Sequence, residues 1–557
     1  MNNNTRLIRV YAMVFILVAF TTSKKIIAQE QKKSKLSVEA MVSMIDKTID
    51  DEFVYEYEKT KYVPPKGKTL LIMGQTVERI SEYMAAFPEE EIPSGWSAYW
   101  GIPEFKGIIE PHKNTAGNTQ YHQMIIDKFP NTVIQSAMWM VGNWDIAKNA
   151  GNGAYDNVVK QFSAWAKVAN RPIYLRIGYE FDGPHNTLEP DEYVKAYKHI
   201  VDIMRTEGAH NVAFVWHSFA SKPYKNYPLE AWYPGDDYVD WVAISVFGHA
   251  YDGPEFGIYC DNVLNFAKQH KKPVMIAESN PINGIDIENT EVWNNWFANY
   301  FSFIYNKNIK AISFINEDWP KIGIEGISEW KDSRLYKNDV ISKAWFKETS
   351  NDNYLKQSSK LFDILGFEPI HNATKSILKE YDESAKDDLV VKKMDLPFYV
   401  YQDGENNPYF PSAYMGNYKA IKVDLKNKED VYAGTYALKL SYSDDYEWYG
   451  LGLVTPPNDW GDIEGGYDLS GTSQFSFWAK ASEKNLNATV GFGLIKKDKP
   501  YPDSAIEHIE IKLTTKWKKY TIKLKNQDMS CIRSGLVVFS SAYGKPHDIY
   551  IDDVVFE

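Results

Sequence analysis

From Thr69 onward, short unbroken apolar runs alternate with stretches in which apolar residues recur every three or four positions. The runs are 69–74 (TLLIMG), 96–100, 133–140 (VIQSAMWM), 173–177 (IYLRI), 212–217 (VAFVWH), 241–247 (WVAISVF), 274–277 (VMIA) and 311–316 (AISFIN). Runs of this length bounded by turn residues suit strands buried on both faces, and the 3.6-residue pattern between them suits amphipathic helices. The helical stretches fall at 155–168, 191–205, 261–270 and 291–307. Strand and helix alternating in this way predict an α/β fold, a (β/α)8 TIM barrel over residues 67–350. A doubly wound open sheet alternates similarly. No Gly-rich phosphate turn follows the first run, so a nucleotide-binding version of that sheet lacks its main support.

Further on the period changes. Alternating segments at 436–442, 474–480, 489–494, 507–513, 518–524 and 549–556 are separated by polar turns, which predicts an all-β jelly-roll sandwich over 394–557. Residues 351–393 form a charged, mixed connector, with 354–365 as a closing helix. At the other end, a basic stretch and the apolar core VYAMVFILVAF mark 1–28 as an export signal, cleaved near Ala28. No later segment is apolar for long enough to cross a membrane. Residues 29–66 then form a charged, mobile lead-in with one helix across 36–49. These features predict a secreted or periplasmic protein with no membrane attachment after cleavage, and we expect a monomer.

The chain has 557 residues and a formal net charge of -12, without a long block of either sign, which argues against nucleic acid as a partner. Its 38 Tyr and 17 Trp exceed what a core alone needs, and flat amphipathic rings are surfaces on which sugars stack. Tyrosine-rich sheet accounts for part of that count. Cys260 and Cys531 fall in different predicted domains, which leaves neither a disulfide nor a thiolate metal site.

The candidate chemistry lies at strand ends, where a β/α barrel carries its active site. In RPIYLRIGYEFDGPH (171–185) an apolar strand stops at Gly178 and is followed at once by Glu180. KKPVMIAESNP (271–281) repeats the arrangement with Glu278. Two carboxylates at the ends of strands four and seven suit a glycosidase, in which one attacks the anomeric carbon and the other protonates the leaving oxygen. The ionisation of such a pair must be driven apart. We expect burial and the charge of Glu278 to raise Glu180. Asp182 is a rival acid, two residues past the strand end.

RIGYEFDG together with VMIAES resembles glycoside hydrolase family 26, a retaining (β/α)8 family of β-mannanases and β-1,3-xylanases, and the resemblance spans about 67–350. It implies that Glu180 is the general acid/base and Glu278 the nucleophile, with no cofactor for catalysis. Arg176 matches a family arginine beneath the site, where its charge would hold the nucleophile ionised; a buried structural ion pair is the other reading. The family has His where this chain has Tyr179, and Tyr where it has Phe247; His249 or Tyr251 would then supply the hydrogen bond to Glu278. By the same resemblance Trp319 is the sugar platform after strand eight. Tyr179, Trp139, Trp216, His217 and His249 complete the expected substrate-binding set, with one of Trp139 and Trp216 expected to be core.

YDLSGTSQFSFWAK, TTKWKKYTIKL and IYIDDVVFE resemble carbohydrate-binding modules. That resemblance implies a structural calcium held by Asp403, Glu405, Asp552 and Asp553, oxygen ligands suited to a hard cation. Tyr446, Trp448, Tyr449 and Trp460 are the expected sugar-binding face. The function expected is a retaining endo-β-glycanase acting on a polysaccharide, with β-mannan or β-1,3-xylan first and an algal galactan next. The rival is a non-catalytic glycan-binding protein on a degenerate barrel.

Overall fold

The computed structural model describes residues 36–557 apart from 89–90, 103, 114–117, 141–145, 223–226, 252, 288–289, 323–329, 371–390, 404–406, 458–459 and 462–463. The export signal expected at 1–28 lies outside the described residues.

Eight parallel strands close into a barrel: β1 Thr69–Gly74, β2 Gly95–Gly101, β3 Val133–Trp139, β4 Ile173–Ile177, β5 Val212–Ser218, β6 Trp241–Val246, β7 Val274–Ser279 and β8 Ala311–Ile315. Each pairs with the next, and β8 returns to β1 in the register Leu70↔Ala311 to Gly74↔Ile315. Helices α1 Val77–Ala86, α2 Asp156–Ala169, α3 Pro190–Thr206, α4 Cys260–Gln269, α5 Ala298–Asn306 and α6 Asp339–Thr349 belong to the outer layer. Local signals set their ends. α3 begins with Pro190 at its first position and Asp191 and Glu192 in its first turn, while α2 stops at Asn170 in a left-handed conformation (φ 46°).

Strand parity divides the apolar residues into two cores. Leu70, Ile72, Val133, Tyr174, Ala213, Val215, Trp241, Ala243, Met275, Ala277 and Ala311 fill the barrel, whereas Ile134, Ile173, Leu175, Phe214, Trp216, Ile244 and Ile276 pack outward against the helices. Leu361 and Leu365 join the inner core, the former from a short helix Leu361–Ile364, shorter than the closing helix expected over 354–365. Its approach is prepared by Tyr354–Leu355, which pairs with the start of β1.

Residues 44–66 are not the loose lead-in expected. The Tyr55 hydroxyl donates to Lys272 O (2.8 Å), Lys61 Nζ to Val212 O (2.8 Å), Trp241 Nε1 to Lys61 O (2.8 Å) and the Tyr174 hydroxyl to Tyr62 O (2.7 Å). These partners lie at or near the N-terminal strand ends. The segment straps that mouth of the barrel, leaving the opposite mouth for chemistry. Its charges masked the few aromatics and carbonyls that hold it.

The C-terminal region is two antiparallel sheets face to face. One orders Ile421–Asn427, Ala437–Tyr442, His547–Phe556, Gln474–Ala481 and Lys518–Lys523, with Phe398–Tyr401 also paired to His547–Phe556. The other orders Phe410–Gly416, Trp448–Val454, Ser534–Ser541, Leu486–Phe492 and Glu507–Leu513. Leu438, Leu440, Leu451, Leu453, Phe475, Phe477, Val538 and Ile551 fill the space between them.

Candidate active site

The β4 end is built to turn one carboxylate inward. Gly178 (φ 57°) and Glu180 (φ 54°) both adopt left-handed backbone, and a Cβ on Gly178 would meet Met140 Cε at 2.4 Å. Between them Tyr179 lies edge-on to Tyr99 (5.4 Å). After them Phe181 turns into the helix layer and stacks on Trp216 (4.6 Å), so that aromatic packing anchors the loop. Asn186 Nδ2 donates to the Glu180 carbonyl, which fixes the backbone further.

The β7 carboxylate arrives by a different device. Met275 and Ala277 face the barrel interior and Ile276 the helices, so simple alternation would send Glu278 outward. A register shift places Ser245 opposite Glu278, directly after Ile244 opposite Ile276. The extra residue reverses the parity and delivers Glu278 to the interior. Glu180 and Glu278 are 6% and 7% exposed.

Glu278 Oε1 receives two donors, Arg176 Nη1 at 2.5 Å and the Tyr99 hydroxyl at 2.6 Å. The guanidinium also lies over the rings of Tyr99 (5.0 Å) and Tyr179 (5.1 Å). Burial works against its charge; the Tyr99 phenol and Glu278 outweigh burial and keep it protonated. Arginine can only donate, so the 3.3 Å contact of its Nη1 with His217 Nδ1 makes that nitrogen the acceptor. His217 then carries its proton on Nε2 and donates to Ser245 Oγ at 3.0 Å, and the Ser245 hydroxyl donates to Glu180 Oε1 at 2.5 Å. An oriented chain, Arg176 to His217 to Ser245 to Glu180, thus joins the two carboxylates. Burial, with the Arg176 charge beside it, pushes His217 down to about 3 and keeps it neutral.

The other oxygen of Glu180, Oε2, lies 2.8 Å from His185 Nε2. This contact reverses one expectation. Burial alone would raise Glu180, but the hydrogen bond and charge of His185, helped by the Ser245 hydroxyl, hold it below the usual carboxylate range. Glu278 is raised, by burial first and by the charge of Glu180, against the pull of Arg176 and Tyr99.

The remaining expected residues divide. Tyr179 and His217 belong to the cluster, and Trp139 stands at the β3 end, 37% exposed. Trp319, after β8, is buried at 6% exposed: it donates from Nε1 to Ser333 Oγ (3.1 Å) and packs with Phe247, Ile315 and Trp330 in an apolar cluster, so it is not the open platform expected. Trp216 is not in the site: it is fully buried among Phe181, Phe266 and Tyr233, with Nε1 donating to Trp232 O (2.9 Å). Parity requires this, because its neighbour His217 faces inward. His249 contacts the Ser245 carbonyl (3.0 Å) rather than Glu278, and Tyr251 is exposed; Tyr99 supplies the hydrogen bond expected of them. Asp182 spends its carboxylate on Ser218 Oγ (2.6 Å) and Phe219 N (2.7 Å), a loop brace rather than a free acid.

In the sandwich, Tyr446 and Trp448 are 59% and 51% exposed and Trp460 is also exposed. Tyr449 is not: it faces the core, stacks on Tyr442 (4.1 Å) and bonds His547 (2.7 Å). Asp403 Oδ1 accepts from the Tyr436 N–H (2.7 Å) and Asp552 Oδ2 from those of Tyr432 (3.0 Å) and Ala433 (3.1 Å), so both brace the same segment. Burial raises Asp553, and the charge of Asp403 adds to this against the pull of Lys519. Glu405 lies outside the described residues. Among the described residues no group of three or more His, Cys, Asp or Glu side chains is placed to hold a metal. No helix among them is long and apolar enough to cross a membrane.

A closed barrel with two buried glutamates at the ends of its fourth and seventh strands is an arrangement that glycoside hydrolysis can use. Residues 172–339 match the model of glycosyl hydrolase family 26. A β-1,3-xylanase of a Vibrio species is 26% identical over 333 residues, covering 55% of this chain and 70% of that protein. A β-1,3-xylanase of an Alcaligenes species is 27% identical over 333 residues, covering 55% and 68%. A family 26 β-mannanase from Bacteroides ovatus aligns with 55% of this chain and 94% of its own at 15% identity, with a TM-score of 0.39. The chain is a family 26-like glycoside hydrolase with a β-rich C-terminal region.

Proposed function

We propose that the protein is a secreted, retaining endo-β-glycanase that uses Glu278 as nucleophile and Glu180 as acid/base. The observation that carries this reading is the oriented hydrogen-bond chain between the two carboxylates. Arg176 and Tyr99 both donate to Oε1 of Glu278 and leave Oε2 as the attacking oxygen. Ser245 donates to Oε1 of Glu180, so the catalytic proton belongs on Oε2. Glu278 attacks the anomeric carbon while Glu180 protonates the leaving oxygen; Glu180 then takes a proton from the water that hydrolyses the glycosyl-enzyme. Each carboxylate needs the geometry the chain supplies, which a barrel that only bound glycans would not require.

Two curated relatives bear the name β-1,3-xylanase, which supports β-1,3-xylan as first substrate, with β-mannan second and algal galactans after them. Trp139 is the sugar-stacking candidate of the barrel. The sandwich is read as a carbohydrate-binding domain that presents Tyr446, Trp448 and Trp460. A structural calcium near Asp403, Asp552 and Asp553 is carried as part of this proposal on the hard-oxygen chemistry of those side chains alone.

The test is reducing-sugar release from β-1,3-xylan, β-mannans, β-glucans and algal galactans by the mature chain beside Glu180→Gln and Glu278→Gln. Release from one polymer that either substitution abolishes supports the reading. Activity that survives both substitutions means that other carboxylates act.

A further inference from the structure

We infer that His185, to which the resemblance gives no role, stores the catalytic proton of Glu180 and hands it over when substrate binds. The inference rests on the assignment of Glu180 as acid/base.

Three observations converge. The Oε1 side of Glu180 is already occupied by a donor, Ser245, so any mobile proton must sit on Oε2, and His185 Nε2 is 2.8 Å from that atom. The histidine is placed there by the fold. Gly183 N donates to the Glu180 carbonyl (2.9 Å), a Cβ on Gly183 would meet His185 Cε1 at 2.5 Å, and the ring stands edge-on to Phe219 (5.2 Å). Finally, Glu180 is buried while the His185 side chain is 45% exposed, so His185 connects the acid to solvent.

The groups facing the ring are Glu180 and Asp182 from its own loop, Glu278 from β7 and His217 from β5, with His249 beyond Phe219. Burial disfavours the imidazolium, but the hydrogen bond and charge of Glu180, with Glu278 and Asp182 behind it, raise the ring above its ordinary value. Before substrate binds, the proton therefore rests on His185 Nε2 and Glu180 is ionised. A bound sugar covers the open side of the ring and excludes the water that solvates the ion pair. The neutral pair is then favoured, and the proton passes from Nε2 to Oε2. From Oε2 it goes to the leaving oxygen as the glycosidic bond breaks. In the second step Glu180 Oε2 takes a proton from water and His185 Nε2 accepts it, which restores the starting state.

The sign of the pH dependence follows. Activity needs one proton on the pair, and as pH rises that proton is lost at the raised value of the imidazole. Without the imidazole it is held by a carboxyl alone and is lost at lower pH. His185→Gln should therefore move the basic limb of kcat/KM toward acid by about one pH unit or more. For a substrate with an activated aryl leaving group, which needs little protonation, kcat/KM reports the first step alone and should fall much less in this variant than it does for the polymer, while kcat, which includes the second step, should still fall. In the full chain, NMR titration of His185 should show a raised value that falls back when Glu180→Gln is introduced. A variant slowed equally at every pH and with every leaving group, or a ring that titrates normally in the parent, would overturn the inference. Loss of the Glu180→Gln effect on polymer hydrolysis would instead overturn the assignment of the acid itself.

Discussion

Tyr99→Phe removes one oxygen atom and tests how Glu278 is held. The phenol donates to Oε1 at 2.6 Å, burial keeps it protonated, and its ring lies against Arg176 and Tyr179. A hydrogen bond to a charged group contributes about 1.5–3 kcal/mol net, and the ring that packs the site is retained, so the fold should be unaffected. If the bond orients the nucleophile, kcat should fall about 10- to 100-fold with little change in KM. The pH profile gives a second reading. Loss of a donor to the ionised form raises the Glu278 carboxyl further, so the acid limb of kcat/KM should move to higher pH. Steady-state kinetics on a soluble oligosaccharide of the polymer the enzyme cleaves, from pH 4 to 9, measures both. A variant within about twofold of the parent, with an unmoved acid limb, would refute the account of Glu278.

Other substitutions separate the core from the cleft. Trp216→Ala should cost about 3–5 kcal/mol of stability, seen in urea unfolding, because the ring is fully buried against the helix layer. Trp139→Ala should leave stability within about 0.5 kcal/mol and raise KM instead. In the sandwich, Trp448→Ala should weaken retention of the chain on insoluble polysaccharide, whereas Tyr449→Ala should lower the melting temperature. If calcium sits by Asp403, chelation should remove about 2–3 kcal/mol of stability, restored by calcium and absent in Asp403→Asn, as scanning calorimetry would show.

Most of the barrel was legible because parallel strands buried on both faces read as unbroken apolar runs, and β1 and β4 match the expected bounds. Parity within those runs was legible too and should have excluded Trp216, since His217 beside it faces inward. Tyr99 was overlooked in the aromatic string of β2, although Trp96, Ala98 and Trp100 on the helix side leave it facing the barrel. The inward turn of Glu278 was not legible, because a β-bulge leaves no mark in an apolar run. Nor was His185 at Glu180: a left-handed turn brings the two together, and loop curvature follows from long-range packing of Phe181 on Trp216. In the sandwich, Trp448–Val454 was hidden by its glycines, so the inward side of Tyr449 was read as surface.

The most direct test of the central claim is to trap the glycosyl-enzyme. Incubating the protein with a 2-deoxy-2-fluoro glycoside of its own substrate sugar, carrying a good leaving group, should inactivate it. Mass spectrometry of the digested protein should then find the sugar on Glu278, with no label in Glu278→Gln. Label on Glu180 or Asp182, or an active enzyme that forms no adduct and releases product of inverted anomeric configuration, would contradict the account.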